Sequence, residues 1–273
     1  MFSRLRRATP TPLLLFSAVA FGAAFFTVRF PDVPGASAGS YVSSVLIALP
    51  ALLALWTYLG PREATAAALA VSAFAYAIES VGVATGFPYG SFSYNEALGP
   101  KLFGLVPYLL PVTYVPLVIG AAAAAWGPNR LAPRILISAL LLVLIDGVLD
   151  PGATALGFWT WTEGGAYYGV PLVNSAGWLL SGTVSAALLL SVGRAHTPPP
   201  PGALDSVVLS LAFWTGVAVF SGLAFPALLG FVLFALSLAR RSHLKAAVKY
   251  QRVKKGPICG PQGPAYGVFV TFI

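Results

Sequence analysis

Hydrophobic positions fill long stretches of this chain almost without interruption, and polar positions are confined to short segments between them. About 20 apolar residues in a helix cross the hydrocarbon core of a bilayer, so each stretch predicts one membrane-spanning helix. The pattern gives six such stretches, at 13–28, 41–59, 64–84, 102–126, 131–149 and 172–193.

A seventh stretch, 206–239, contains no charged residue at all. A straight helix over it would be about 50 Å long, against a hydrocarbon core of about 30 Å. It is either one tilted helix or two shorter passes that break near Gly222 and Pro226, residue types that interrupt helices. The prediction is therefore about eight spans, with seven as the alternative.

The composition agrees with the membrane interpretation. Only 9% of the 273 residues are charged, whereas 58% are hydrophobic. An average soluble domain carries about a quarter charged residues, and a disordered chain is much poorer in apolar residues. Both classes are excluded, and the predicted fold class is an all-α polytopic transmembrane helix bundle.

The distribution of the sixteen Lys and Arg residues predicts the orientation, because basic residues collect in cytoplasmic segments. With eight spans and the N-terminus inside, all but two of them lie on the cytoplasmic side. Seven spans would put most of them outside. We therefore expect both termini in the cytoplasm, a transmembrane domain over 1–239 in the cell membrane, and a basic cytoplasmic tail over 240–273. The net charge of +8 then indicates contact with anionic lipid rather than with nucleic acid.

Two segments resemble each other at an offset of 67 residues. From Glu79 the chain reads ESVGVATGFPYGSFSYNE, and from Asp146 it reads DGVLDPGATALGFWTWTE. Both lie on spans that run in the same direction, so they predict two parallel internal repeats, about 64–126 and 131–193, related by an axis along the membrane normal. An aromatic belt at the interface would explain the matched aromatic residues, but not the matched acids and glycines.

Most acidic residues fall on the side opposite the bases, and two of them lie inside spans. Glu79 and Asp146 are costly there, so each marks a candidate functional site. Asp150 is four residues beyond Asp146 and so on the same helix face, although Pro151 after it favours a loop. Glu96 and Glu163, taken singly, are also typical of ordinary interfacial carboxylates.

The alternation at Phe92-Ser93-Tyr94 and Trp159-Thr160-Trp161 predicts extended segments that present two aromatic walls, each with a carboxyl group at its base. A carboxyl group removed from water keeps its proton and can act as a general acid, and aromatic faces stabilise a cation. Together they suit protonation of an alkene and capture of the carbocation by water. The predicted catalytic residues are Glu79, Asp146 and Asp150. The predicted substrate-binding residues are Tyr89, Phe92, Tyr94, Glu96, Trp159, Trp161, Glu163, Tyr167, Tyr168, Asn174 and Trp178.

No cofactor or metal is predicted. The sequence has no phosphate-binding glycine loop, and one Cys and two His argue against a zinc site. The lysines lie outside the spans, which argues against a Schiff-base chromophore.

With these residues in view, the chain resembles the carotenoid 1,2-hydratases of the CruF type over roughly 60–240. The resemblance rests on Glu79, Gly86 to Tyr94, Leu98 to Pro100, Asp146 to Pro151, Gly157 to Trp161, Tyr167 to Pro171 and Asn174 to Trp178. It implies hydration of the terminal C1=C2 bond of a linear ψ end group, as in γ-carotene or lycopene, to a tertiary alcohol. It also implies a lipophilic carotenoid substrate, residence in a bilayer and association with other carotenoid-pathway enzymes. The alternatives are a non-catalytic carotenoid-binding scaffold and a proton-coupled transporter.

Overall fold

The computed structural model describes residues 12–31, 36–192 and 197–254. Within these ranges the chain forms eight α-helices, and the prediction of a transmembrane helix bundle is confirmed. They are α1 (Pro12–Arg29), α2 (Ala36–Leu59), α3 (Pro61–Thr85), α4 (Leu110–Ala124), α5 (Leu131–Ala155), α6 (Leu172–Val192), α7 (Asp205–Phe220) and α8 (Ala224–Lys254). Seven segments of the described chain are long and apolar enough to cross a membrane: every helix except α4, with α7 counted together with the turn before it (Pro201–Phe220). The protein is therefore a polytopic helical membrane bundle.

The uncharged stretch 206–239 is two helices rather than one. Gly222 has a φ of 74°, a left-handed conformation that suits glycine and ends α7. Pro226 follows in the first turn of α8, where its missing N–H breaks no hydrogen bond within the helix. The interpretation as two passes is therefore confirmed.

The fourth predicted span is shorter than the hydrophobic pattern indicates. Its first residues form a small hairpin in place of helix, with β2 (Lys101–Leu102) antiparallel to β3 (Val106–Pro107). Pro107 cannot donate a helical hydrogen bond, whereas Pro111 fits the first turn of α4, which begins at Leu110. The apolar pattern alone cannot separate this hairpin from the helix that follows it.

The repeats form the centre of the bundle. Helices α3, α4, α5 and α6 pack in a closed ring, in which α4 contacts α5 and α6 contacts α3. A two-fold relation between α3–α4 and α5–α6 exchanges α3 with α5 and α4 with α6, so it requires these two contacts to occur together. Outside the ring, α1 packs on α7, and α8 packs on α5 and α7.

The two matched aromatic segments pair with each other. Strand β1 (Phe92–Tyr94) is antiparallel to β4 (Trp159–Trp161), and Ser93 lies opposite Thr160. The register is symmetric about that pair, whose hydroxyl oxygens are 3.4 Å apart. The local two-fold axis therefore passes through the middle of this two-stranded unit, which we call the ribbon.

Two bases of the predicted tail bind within the bundle. Arg240 of α8 donates to the carbonyl of Ala124 (2.9 Å) and to that of Trp126, at the C-terminal end of α4. Arg241 donates to both carboxyl oxygens of Asp205, the first residue of α7, at 2.5 and 3.1 Å. Helix α8 continues past them to Lys254, and the part of the predicted tail beyond it lies outside the described residues.

Candidate active site beneath the ribbon

Three carboxyl groups approach one another at the ribbon end of the ring. Glu79 lies near the C-terminal end of α3, and Asp146 and Asp150 lie one turn apart on α5. Asp146 and Asp150 are 2% and 4% exposed. Glu79 is half-buried and close enough to both to interact with them electrostatically. The described residues hold no group of three or more His, Cys, Asp or Glu side chains arranged for a metal ion.

Asn174, in the first turn of α6, bridges the two aspartates. Its side-chain amide nitrogen donates to Asp146 Oδ2 at 3.0 Å and to Asp150 Oδ2 at 2.5 Å, and the residue is 2% exposed. The two carboxyl groups are also close enough to interact electrostatically. Asp146 Oδ1 is buried and receives no hydrogen bond from a donor in the described part of the chain. Asp146 Oδ1 is thus able to bind a ligand or a water.

Helix α5 continues through Pro151, so the expectation that Asp150 could lie in a loop is wrong. A proline within a helix removes the hydrogen bond to the carbonyl four residues earlier, here that of Gly147. The Tyr167 hydroxyl donates to this carbonyl at 2.7 Å. Burial raises the pKa of Tyr167 to about 12, so the phenol keeps the proton that it donates. Tyr167 therefore supports the helix that carries both aspartates.

Removal of that hydroxyl is expected to destabilise the fold. In Tyr167→Phe the ring stays, but the Gly147 carbonyl loses its partner, at a cost of about 1–3 kcal/mol. We expect a lower melting temperature of the detergent-solubilised protein, measured by thermal unfolding. Tyr250→Phe, which removes a phenol oxygen from a residue that is 69% exposed, is the matched control. Equal melting temperatures for the two variants would contradict this role of Tyr167.

Glu79 has a different partner from the aspartates. The Tyr94 hydroxyl, on the ribbon, donates to Glu79 Oε2 at 2.9 Å. Burial raises the pKa of Tyr94 well above its ordinary value, and the neighbouring Glu79 carboxyl raises it further, to a smaller extent. The phenol is therefore a donor, and a donor at this position stabilises Glu79 as a carboxylate.

Tyr89 enters the site between two helices. Its ring is 3% exposed and lies against Gly82 of α3 and Gly177 of α6. A Cβ added at Gly82 would come within 2.8 Å of the ring, and one added at Gly177 would collide with the ring and lie 2.9 Å from the Pro88 carbonyl oxygen. The absence of a side chain at both positions makes room for the tyrosine ring. Gly82 lies three residues after Glu79 on α3, so the ring packs close to Glu79.

The aromatic residues of the ribbon form one face rather than two separate walls. The rings of Phe92 and Trp161 are 5.1 Å apart, and those of Tyr94 and Trp159 are 5.8 Å apart. Phe92 also contacts Tyr94, at 5.3 Å, and Tyr89, at 6.1 Å. The buried indole N–H of Trp161 has no hydrogen-bond partner in the described ranges.

Three of the predicted substrate-binding residues lie away from this cluster or at its edge. Glu96 is exposed and pairs with Lys101 at 2.6 Å, and Glu163 is exposed as well. Tyr168 is 40% exposed, and its hydroxyl oxygen accepts from the backbone N–H of Phe225. Trp178 packs against the cluster that contains Tyr89, Phe92 and Trp161, and its ring is also 5.7 Å from that of Tyr114. The other predicted residues belong to the three groups described above.

A set of buried hydroxyl groups behind the site was not predicted from the sequence. The Tyr114 hydroxyl on α4 is 2.9 Å from Ser185 Oγ on α6, and Ser181 is 1% exposed one turn earlier. The signal that could have found them is the spacing of Asn174, Ser181 and Ser185, which places these polar residues on one face of an otherwise apolar helix.

Comparison with known proteins connects the chain to one family. Residues 39–237 match the family model described as "Carotenoid biosynthesis protein". The chain is 44% identical over 170 residues to a protein of Haloarcula japonica named bisanhydrobacterioruberin hydratase. The match covers 58% of this chain and 57% of that protein, so the chain spans little more than half the length of this relative. No solved structure matches.

Proposed function

This chain belongs to the carotenoid biosynthesis protein family, and we propose that it is a carotenoid 1,2-hydratase. Its substrate is a linear carotenoid with a ψ end group, such as γ-carotene or lycopene. Water adds to the terminal C1=C2 bond and gives a tertiary 1-hydroxy carotenoid. The name of the similar Haloarcula protein, a hydratase, supports this type of reaction.

The observation that carries the proposal is the group of three carboxyl groups beneath one aromatic face. Hydration of an unactivated alkene requires a Brønsted acid to protonate C2 and a base to take a proton from the attacking water. Glu79, Asp146 and Asp150 supply both kinds of group. The intermediate cation at C1 is stabilised by π faces, by about 2 kcal/mol or more per favourable contact away from water. Phe92, Trp159 and Trp161 provide those faces, and neither step requires a cofactor.

The arrangement in the bilayer suits a lipophilic substrate. We place both termini in the cytoplasm and the ribbon at the opposite face of the cell membrane, because the bases of the chain then lie inside. The polyene reaches the site from the lipid between the helices. Enzymes that make or consume the same carotenoid are expected partners in that membrane.

The test is expression of the full chain in a host that accumulates lycopene or γ-carotene, followed by mass analysis of the extracted pigments. The same host without the gene is the control. We expect pigments heavier by one water per reacted end. A third test uses bisanhydrobacterioruberin as the substrate in place of lycopene or γ-carotene. Unchanged pigment that co-purifies with the protein would instead favour a binding scaffold. Unchanged pigment that stays unbound would leave the transporter as the better interpretation, and either result would overturn the proposal.

A further inference from the structure

We infer that the two repeats have diverged into an acid half and a base half, so that the Asp146–Asp150 pair donates the proton to the alkene and Glu79 accepts the proton from water. The inference rests on the proposed hydratase function and assigns the roles within it. Three matched positions of the repeats carry it, each with a different residue in the two halves.

The first difference is the number of carboxyl groups. At the repeat offset of 67, Asp146 matches Glu79, but Asp150 matches Val83. Helix α5 therefore holds two buried carboxyl groups on successive turns, and α3 holds one. Two adjacent carboxyl groups cannot both ionise without strong repulsion, so such a pair retains a proton. The α5 half thus stores a proton as a consequence of its own geometry.

The second difference is Asn174. The prolines that close the two loops, Pro107 and Pro171, match each other, so Asn174 matches Leu110, an apolar residue at the start of α4. Its amide donates to one oxygen of each aspartate and so fixes the orientation of both carboxyl groups. The proton shared by the pair is then confined to the remaining oxygens. Of these, Asp146 Oδ1 is buried and has no hydrogen-bond partner among the described residues. A proton on this oxygen is therefore not held by a protein acceptor. Asn174 is accordingly a positioning residue of the acid half.

The third difference lies on the ribbon, where Tyr94 matches Trp161. The phenol of Tyr94 donates to Glu79, whereas the indole N–H of Trp161 has no partner within the described residues. A donated hydrogen bond favours the ionised form of a carboxyl group. Glu79 is single, half-buried and held by a phenol, so it is the carboxylate that can take up a proton.

The steps balance in atoms and charge. The proton of the aspartate pair forms the new C2–H bond with the π electrons of C1=C2, which leaves the positive charge on C1. A lone pair of the water oxygen forms the C1–O bond while one proton of that water passes to Glu79. The product has gained one water. Exchange with solvent then returns a proton to the aspartate pair and removes the one on Glu79.

Deuterium labelling separates the two roles. In heavy water, a variant without the base still forms the cation, which collapses by losing a proton, so deuterium enters carotene that has not been hydrated. In Glu79→Gln we therefore expect hydration to fall about 100-fold or more while the recovered carotene gains deuterium at its end group. In Asp146→Asn we expect neither hydration nor deuterium uptake. Both are measured by mass spectrometry on membranes that contain the full chain.

Glu63→Gln, the same change on an exposed carboxyl in the first turn of α3, is the matched control and is expected to behave as wild type. Protein abundance in the membrane and melting temperature establish that each variant folds, and Asp150→Asn serves in place of Asp146→Asn if the latter does not. Deuterium uptake that persists in Asp146→Asn, or that is lost in a folded Glu79→Gln, would overturn the assignment. A wild-type chain that forms no hydrated carotenoid would instead overturn the proposed function itself.

Discussion

Replacement of Asp146 by Asn is expected to lower the rate of carotenoid hydration by about 10²–10⁴-fold, the usual contribution of a positioned general acid. Asn keeps the size of the side chain and its hydrogen-bonding capacity, so the fold should persist. What disappears is the second carboxyl group of the pair, and with it the repulsion that keeps a proton on α5. The remaining Asp150, bonded to Asn174, is then free to stay ionised and cannot donate.

A proton shared by the two aspartates also determines how the effects of their replacement combine. If they hold one proton between them, Asp150→Asn removes it as completely as Asp146→Asn does. The double variant should therefore be no slower than either single variant, because residues that act as a unit are strongly non-additive. The measurement is the rate of hydrated product per amount of folded protein in membranes. A single variant with more than a tenth of the wild-type rate, or rate losses that multiply in the double variant, would contradict a shared proton.

The helical framework was predictable because a bilayer imposes simple rules on sequence. Every backbone group must be satisfied within its own element, so uncharged stretches of sufficient length become helices. The division of 206–239 was one of two interpretations of its length, and the distribution of the basic residues favoured it. The repeat was also visible, because it preserves an acid and an aromatic pattern at a constant offset, and the ribbon symmetric about Ser93 and Thr160 is its structural counterpart.

Details that depend on contacts between distant segments were not predictable. The sequence favours a break at Pro151, and the helix survives because Tyr167, from the next loop, supplies a donor to the carbonyl that the proline leaves unpaired. Nor does the periodicity of two aromatic segments reveal whether they form separate walls or pair with each other. The paired segments form one aromatic face, in which Tyr94 bonds to Glu79 and is close enough to Asp150 to interact with it electrostatically.

The candidate site was accordingly predicted as a list of residues but not as an arrangement. The choice of Glu79 and Asp146 rested on the cost of charged groups among apolar ones, which a sequence shows directly. The difference between their partners, a phenol for Glu79 and an amide for the aspartates, exists only in three dimensions. That difference is what turns three similar carboxyl groups into candidates for two distinct roles.

Gly177 offers the sharpest test of how the site is packed. In Gly177→Ala the new methyl group would collide with the ring of Tyr89 and lie 2.9 Å from the Pro88 carbonyl oxygen, which is backbone and cannot turn away. Overpacking of this kind costs about 1–3 kcal/mol, against which alanine regains up to about 1 kcal/mol of helix propensity. We expect a net loss of stability. A displaced Tyr89 should also lower hydration activity more than the loss of folded protein explains.

The matched control lies five residues further along the same buried helix. In Gly182→Ala the nearest atom to the new methyl group is the flexible end of Leu142, at 3.2 Å, which can move by a few tenths of an ångström. The gain in helix propensity then roughly offsets the contact, and we expect a melting temperature close to that of wild type. Thermal unfolding in detergent and hydration activity in membranes measure both variants. Equal stability and activity for Gly177→Ala and Gly182→Ala would show that Tyr89 is not held between α3 and α6 as described, and that its position does not matter for the reaction.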